Sequence, residues 1–502
     1  MADHKDHPFL MGIDGGTGGM RVGIYDPSGN CLAFSSVPYE TSFPRPGYAQ
    51  QRPEDWWSAA AAAVREALRK ADLSPEQISA IACDTTSTSV VACRKDGTPL
   101  RPCIIWMDVR ANKEAEELFT KTGEFYSPEW MPPKLAWLKR NEREIYDEAE
   151  VFCEYQDWLT YRLTGKWCMN INTACNWAYS VKSGFSKKIY EALDIADALD
   201  RFPDREVHRP GDLIGCLSKE AALHLGLREG TLIAQGGIDS SIGLLGIGVN
   251  RQGRIGMITG SSNLAMALNE KPLLNPHGSN NGPDNLIEGF YTDYVAQSAS
   301  GSILSWFRKE FYPERSYKEL DDLAKEVPIG SNGLLLLDYF QGNKHPYQDG
   351  KAKGMFYGLT LAHSGIDMYR AILEGVAFGT ERILDTFREY GVDVKEMNMA
   401  GGSARSPLWM QIHADVSNII INVPEDLNAP NLGCAICCAV MLKIYPDLPT
   451  AVDRMVRYQR SYCPDPEAHS RYMKIYELYK RFYPLNRDWI RDFADTFEDL
   501  NG

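Results

Sequence analysis

Two short apolar runs flank a polar, glycine-rich turn near the start of the chain. Met11 and Ile13 lead in, Val22 and Ile24 lead out, and Asp14, Thr17 and Arg21 stand among the glycines between them. β-Branched residues favour strands and glycine supplies the backbone angles of a tight turn, so the pattern predicts strand, turn, strand. Residues 30–36 then read as a third strand, and an alanine-rich helix runs from Glu54 to about Lys70. Residues 78–83 form a buried-type strand that ends in Asp84-Thr-Thr-Ser-Thr-Ser89, and a further strand covers Val90 to Cys93. From Asn112 to about Asp200 the pattern is mostly helical, and strands return at Leu213-Ile214 and from Thr231 to Ala234. Strands alternating with helices indicate an α/β fold.

The opening pattern has an echo near mid-chain. Residues 254–268 again pass from an apolar run through a Gly/Ser/Thr turn to a second apolar run. Each hairpin begins a long segment, which suggests two domains of similar plan, residues 1–249 and 250–502, with a short hinge near Gly248 to Gly253. The second half continues with helices from Ser302 to Phe311 and from about Asp367 to Tyr390, a strand from Met397 to Ala400, and a helix from Leu408. A charged, aromatic covering helix from about Arg471 to Asp499 ends the pattern.

Composition narrows the function classes. A chain of 502 residues is too long for one core, and 44% hydrophobic with 24% charged residues describes a globular protein. Its net charge of −14, without a Lys/Arg block, argues against nucleic acid or an anionic membrane as partner. An acidic protein can still take a nucleotide through Mg2+, backbone amides and a few local basic groups. Twelve scattered cysteines, with no secretory signal or membrane-length apolar run, fit reduced thiols in a cytoplasm. Cys434, Cys437 and Cys438 read as small buried residues on a helix, since no second pair at zinc spacing accompanies them.

Three glycine-rich stretches carry candidate chemistry. In the first hairpin, exposed amides and the Thr17 hydroxyl suit phosphate oxygens, and Asp14 is a candidate Mg2+ ligand. In Gly236-Gly-Ile-Asp-Ser-Ser241 a strand runs into Asp239, which either caps the next helix or serves as a general base. In Ala400-Gly-Gly-Ser-Ala-Arg-Ser406 two glycines end a strand, where a ring or a phosphate can approach the backbone. The phosphate loop G-x-x-x-x-G-K-[ST] is absent, as are a G-x-G-x-x-G after the first strand and H-E-x-x-H. A dinucleotide-dependent oxidoreductase thereby loses its main support.

Four motifs, GIDGGTGGMR, GGIDSS, ITGSSN and GGSARSPLWMQ, occur in that order, and together they resemble the FGGY carbohydrate kinase family over essentially the whole chain. Residues 46–57, 157–165, 354–363 and 374–378 add matching segments. The resemblance implies two actin-like, ribonuclease-H-like ATPase domains, with ATP and sugar meeting in an interdomain cleft. Position by position it implies that Asp14 holds Mg2+, that Thr17 and Gly18 contact nucleotide phosphates with Arg21 nearby, and that Asp239 takes the proton from the attacking hydroxyl. Gly260 and Ser261 match the second phosphate turn, and Gly301 and Ser305 line the nucleotide site. Gly401 and Gly402 match the adenine-side turn, with Ser406 able to approach the base. Thr86, Ser87, Trp106, Asp108, Arg110, Glu129 and Trp130 are the expected sugar contacts.

Two departures stand out. Gly18-Gly19-Met20 replaces hydroxyl residues common in relatives, and Asn428 stands where relatives usually carry an acid. Residues 105–111 and 129–135 look most like ribulokinase-type pentulose kinases, so the expected reaction is ATP-dependent phosphorylation of a ketopentose, D-ribulose first. Xylulose, erythritol, fuculose and autoinducer-2-like molecules stay open, as does an actin-like sugar-binding ATPase that no longer transfers phosphate. A homodimer is left open by the sequence.

Overall fold

The computed structural model describes residues 8–203, 206–272, 279–281 and 285–501. Its residues cluster into two compact units, each built on one twisted sheet. The first sheet runs, edge to edge, Leu213–Cys216, Leu232–Ile238, Ile78–Thr85, Phe9–Gly16, Gly19–Tyr25 and Cys31–Pro38. Its three central strands, 232–238, 78–85 and 9–16, are parallel, and antiparallel neighbours flank them on both sides. Helices cover it, the longest being Pro53–Ala71. That helix starts on a proline with Glu54 and Asp55 in its first turn, and ends on Arg69 and Lys70 with Asp72 left-handed at φ 53°.

The second sheet repeats the plan, as the mid-chain echo suggests. After the edge strand Ser279–Asn281 it runs Tyr291–Gln297, Asn263–Asn269, Arg254–Thr259, Glu396–Gly401, Ile420–Pro424 and Tyr458–Tyr462. Its hairpin strands 254–259 and 263–269 are antiparallel, while 396–401 and 420–424 join parallel. The helix Gly365–Glu389 opens with a capping box between Ser364 and Asp367 and packs the centre of this unit. The last helix, Pro466–Asn501, is pinned by four tyrosines. Tyr472, Tyr476, Tyr479 and Tyr483 donate their hydroxyls to Glu374, Asp385, Asp338 and Asp349.

Two segments from beyond residue 250 cluster with the first unit. Residues 428–457 belong to the first unit, together with 281–291. The helix Ala429–Met441 packs against that unit's sheet, where the Asn431 amide donates to the carbonyls of Gly12 at 2.9 Å and Arg21 at 3.1 Å. Glycine permits the approach: a Cβ on Gly12 would stand 2.3 Å from the Asn431 carbonyl oxygen. Cys434, Cys437 and Cys438 lie buried on this helix, as their spacing predicts. Among the described residues no helix is long and apolar enough to cross a membrane.

Candidate active site

Parallel pairing of the strands 9–16 and 78–85 puts Asp14 in register with Asp84. Both are fully buried. Arg21, in register with Asp14 on the antiparallel side, brings its guanidinium to 2.9 Å from that carboxylate. Burial nevertheless outweighs Arg21 and pushes the Asp14 carboxyl up to about 6. Burial, then the charge of Asp14, drives Asp84 well above the usual carboxylate range. One oxygen of Asp84 accepts from the Cys434 thiol at 3.0 Å, and the other, Oδ1, is buried with no hydrogen-bond partner.

Asp239 completes the carboxylate set. The strand 232–238 shifts register between Gln235 and Ile238, and Gly236 and Gly237 press against the Cys83 carbonyl and the Asn172 side chain. Asp239 is then the first residue of the helix Asp239–Gly246, whose N-cap position is Ile238. Its carboxylate accepts from the adjacent Ser240 N–H at 2.6 Å and caps no further amide. Of the two sequence readings, the cap is therefore not what the structure uses. Burial first, and the charge of Asp14 second, push the Asp239 carboxyl up to about 7.

The turn beside these acids is held open. Gln51 donates to the Thr17 carbonyl at 2.7 Å and is itself oriented by the Trp56 indole at 2.9 Å. Trp106 donates its indole N–H to the Thr17 hydroxyl at 2.9 Å. A Cβ on Gly16 would collide with Arg21, whereas one on Gly18 would meet nothing within 4 Å. Gly18 thus leaves open space at the turn tip.

The expected sugar contacts divide. Thr86 donates its N–H to the Gly15 carbonyl, which sets the 86–89 loop beside the opening hairpin. Lys134, fully buried, donates to the carbonyls of Thr88 at 2.6 Å and Ile105 at 2.8 Å and so ties that loop to the segment carrying Trp106. Ser87 is half-buried beside Thr86, and Trp106 is 39% exposed. Glu129 and Trp130 are half-buried at the start of the helix Met131–Asn141. Asp108 and Arg110 depart from expectation. They form a buried ion pair at 2.6 Å, Asp108 also takes the Ala49 N–H, and Arg110 stacks on Tyr48 and Trp137. A buried pair satisfied by its own partners supports the 46–50 loop and has little left to offer a sugar.

In the second unit the turn of Gly260 and Ser261 is stitched to the helix Gly301–Phe311. The Gly301 N–H donates to the Gly260 carbonyl at 3.0 Å, and Ser300 and Ser302 donate to the Ser261 carbonyl. Gly401, at φ 117°, pairs with Thr259, whose carbonyl oxygen a Cβ there would meet at 2.0 Å. Gly402 faces open space, and Ser305 is exposed. Ser406 departs from expectation: its hydroxyl donates to Asp321 at 2.6 Å and accepts the Trp409 N–H, so it caps the helix Pro407–Ser417.

The chain matches the N-terminal domain of the FGGY family of carbohydrate kinases over residues 9–246 and its C-terminal domain over residues 256–442. The chain belongs to the FGGY family. As a carbohydrate kinase it uses ATP to phosphorylate a small sugar-type substrate. A ribulokinase of Mycolicibacterium smegmatis is 30% identical over 88% of this chain and 84% of its own length. A xylulose kinase of Staphylococcus epidermidis is 25% identical over 96% of this chain and 98% of its own. Among solved structures, the xylulose kinase of Rhodospirillum rubrum superposes with a TM-score of 0.84 at 25% identity, covering 96% of this chain and 99% of that one.

Four residues in and around the candidate site escaped the sequence reading. Asp84 ends a strand beside a polar loop much as Asp14 does, and that repeated position is the signal that could have found it. Gln51, Lys134 and Cys434 carry no such signal, because their roles rest on contacts between distant segments.

Proposed function

We propose that the chain is a ketopentose kinase acting first on D-ribulose, with Asp239 as general base and Asp14 toward Mg2+. The supporting observation is Asp239 itself, a carboxylate at a helix start that caps nothing beyond its neighbour and sits in the field of Asp14. Likeness to named ribulokinases along most of the chain supports the substrate class. The similarity to xylulose kinases keeps D-xylulose as the second reading.

The donor set suits Mg2+. Among the described residues no three His, Cys, Asp or Glu side chains converge to hold a metal alone. Mg2+ asks for less: one or two carboxylates, with water and substrate phosphate completing its shell. Asp14, with the unpartnered Oδ1 of Asp84 in register beside it, offers that much. When bound, the ion offsets charge on the β- and γ-phosphate oxygens.

The protein's own residues do the rest. Amides of the Thr17–Gly18 turn bind phosphate oxygens in the space that Gly18 leaves, with Arg21 adding positive charge. Asp239 takes the proton from the attacking hydroxyl as the new O–P bond forms and ADP leaves. Thr86, Ser87, Trp106, Glu129 and Trp130 orient the sugar. Gly260, Ser261, Gly301, Ser305, Gly401 and Gly402 bind the nucleotide.

Coupled ADP release over a panel of D-ribulose, L-ribulose, D-xylulose, erythritol, L-fuculose and autoinducer-2-like sugars tests the reading. The highest kcat/KM falls on D-ribulose. Highest activity on a polyol, or no sugar-dependent ADP release at all, removes it.

A further inference from the structure

Three donors from separate segments close on one two-residue turn. Gly16 and Gly19 pair at the end of the first hairpin, so Thr17 and Gly18 make the turn between them. The Tyr39 hydroxyl donates to the Gly16 carbonyl, the Gln51 amide donates to the Thr17 carbonyl at 2.7 Å, and the Trp106 indole donates to the Thr17 hydroxyl at 2.9 Å. Among the described residues the N–H groups of Thr17 and Gly18 have no protein acceptor. A peptide unit is planar and trans, so its N–H points opposite to its C=O. A donor held on the Gly16 carbonyl therefore directs the Thr17 N–H, and a donor held on the Thr17 carbonyl directs the Gly18 N–H.

Both peptide donors are themselves fixed. Gln51 is buried, and an indole N–H can only donate, so the Trp56 indole at 2.9 Å holds the Gln51 oxygen and leaves its NH2 to face Thr17 and the Thr41 hydroxyl. The same Trp56 ring stacks on Tyr155 with centroids 3.6 Å apart, and the Tyr155 hydroxyl lies 3.4 Å from that of Tyr39. Burial pushes the Tyr39 hydroxyl above its ordinary value and so keeps its proton available to Gly16.

We infer that Tyr39 and Gln51 are positioning residues for the ATP phosphates, acting through the two turn amides that they aim. The inference rests on the reading of this turn as a phosphate cradle. It supplies what the turn cannot supply alone: with glycine at 16, 18 and 19 the local sequence restrains the backbone least, and only Thr17 adds a side-chain contact. Direction must come from outside, and one tryptophan, Trp56, supports both residues that give it.

The test compares Tyr39→Phe and Gln51→Met in the full chain, with Gly18→Ala as the probe of the turn itself. The first two keep the ring and the side-chain length and remove only the donor. Each raises KM for ATP about tenfold, the loss expected when one directed amide no longer meets a charged oxygen. Each raises the inhibition constant of Mg2+ tripolyphosphate, a phosphate chain with no base, by the same factor. KM for the preferred sugar stays within about twofold, which separates loss of phosphate binding from loosening of the first unit. A KM for ATP raised by Gly18→Ala but by neither Tyr39→Phe nor Gln51→Met overturns the inference and leaves the cradle standing. No effect from any of the three removes the cradle, and the inference with it. A parallel rise in KM for the sugar also overturns it, because a merely structural role would not spare the sugar site.

Discussion

Asp14 and Asp84 stand side by side on neighbouring parallel strands, both out of water, with Arg21 against the first and the Cys434 thiol against the second. Two carboxyls in that position oppose each other's ionisation, and burial raises both. Holding two buried carboxyls together costs stability, and a bound cation would offset that cost. Mg2+ with a nucleotide should therefore raise Tm by several degrees, and Asp84→Asn should raise the resting Tm while lowering kcat/KM. Scanning calorimetry with and without Mg2+ and ATP checks both. An unchanged Tm in the wild type counts against cation binding at this pair.

Asp239→Asn should leave nucleotide affinity within a few-fold and lower kcat by about 10²–10⁴, the usual contribution of a general base. The pH dependence has a definite sign. Only the ionised carboxylate accepts a proton, and its carboxyl sits at about 7, so kcat/KM should fall tenfold per unit as pH drops below about 7 and level off above it. That acid limb should disappear in Asp239→Asn. Rate profiles from pH 5 to 9 decide the matter.

Glycines in the first hairpin should separate packing from binding. Gly12→Ala drives a methyl into the Asn431 carbonyl oxygen and should lower stability by about 2 kcal/mol or more. Gly18→Ala meets only open space, so its Tm should match the wild type. Its methyl would nevertheless occupy the room assigned to phosphate, and KM for ATP should rise about tenfold. Urea melts and initial rates on the two variants give opposite patterns if the turn is a cradle.

Lys134→Met should lower stability by about 3 kcal/mol. It removes a buried ammonium and leaves the carbonyls of Thr88 and Ile105 without that donor. The loop carrying Thr86 and Ser87 should loosen with it, raising KM for the sugar more than KM for ATP. Urea unfolding and substrate titrations read the two effects separately.

His413 is buried on the helix Pro407–Ser417 beside Trp409, and burial lowers its imidazole to about 3. The unfolded chain binds a proton there below about 6.5 while the folded chain does not. Stability is therefore whole above pH 6.5 and falls as pH drops from 6.5 toward 3, by up to about 1.4 kcal/mol per unit. His413→Leu should flatten this slope in urea unfolding at pH 7.5 and 5.5.

Much of this was legible in the residues. Alternation of apolar runs with glycine turns marked both hairpins, and the strand ends they produce carry Asp14, Gly260 and Gly401. Local pattern reads local geometry well, because strand period and turn chemistry are set by near neighbours. It does not read which polar side chains find partners inside the protein. Asp108 and Arg110 have the chemistry of sugar ligands and spend it on each other, and Ser406 spends its hydroxyl on a helix end and on Asp321. Those outcomes depend on Ala49, Tyr48 and Asp321, which lie far away in sequence.

The helix Ala429–Met441 bears on how the molecule is made. It rests against the strand 9–16 and the helix Asp239–Gly246, and Gly12, Gly246 and Gly433 permit backbone-to-backbone approach there. A ribosome delivers residues 9–246 long before it delivers 429–441. The nascent first half must wait, with glycine faces bare and Asp84 without its thiol partner, through the synthesis of nearly two hundred further residues. A chain released before residue 441 would keep both hairpins and still lack the piece that closes the first.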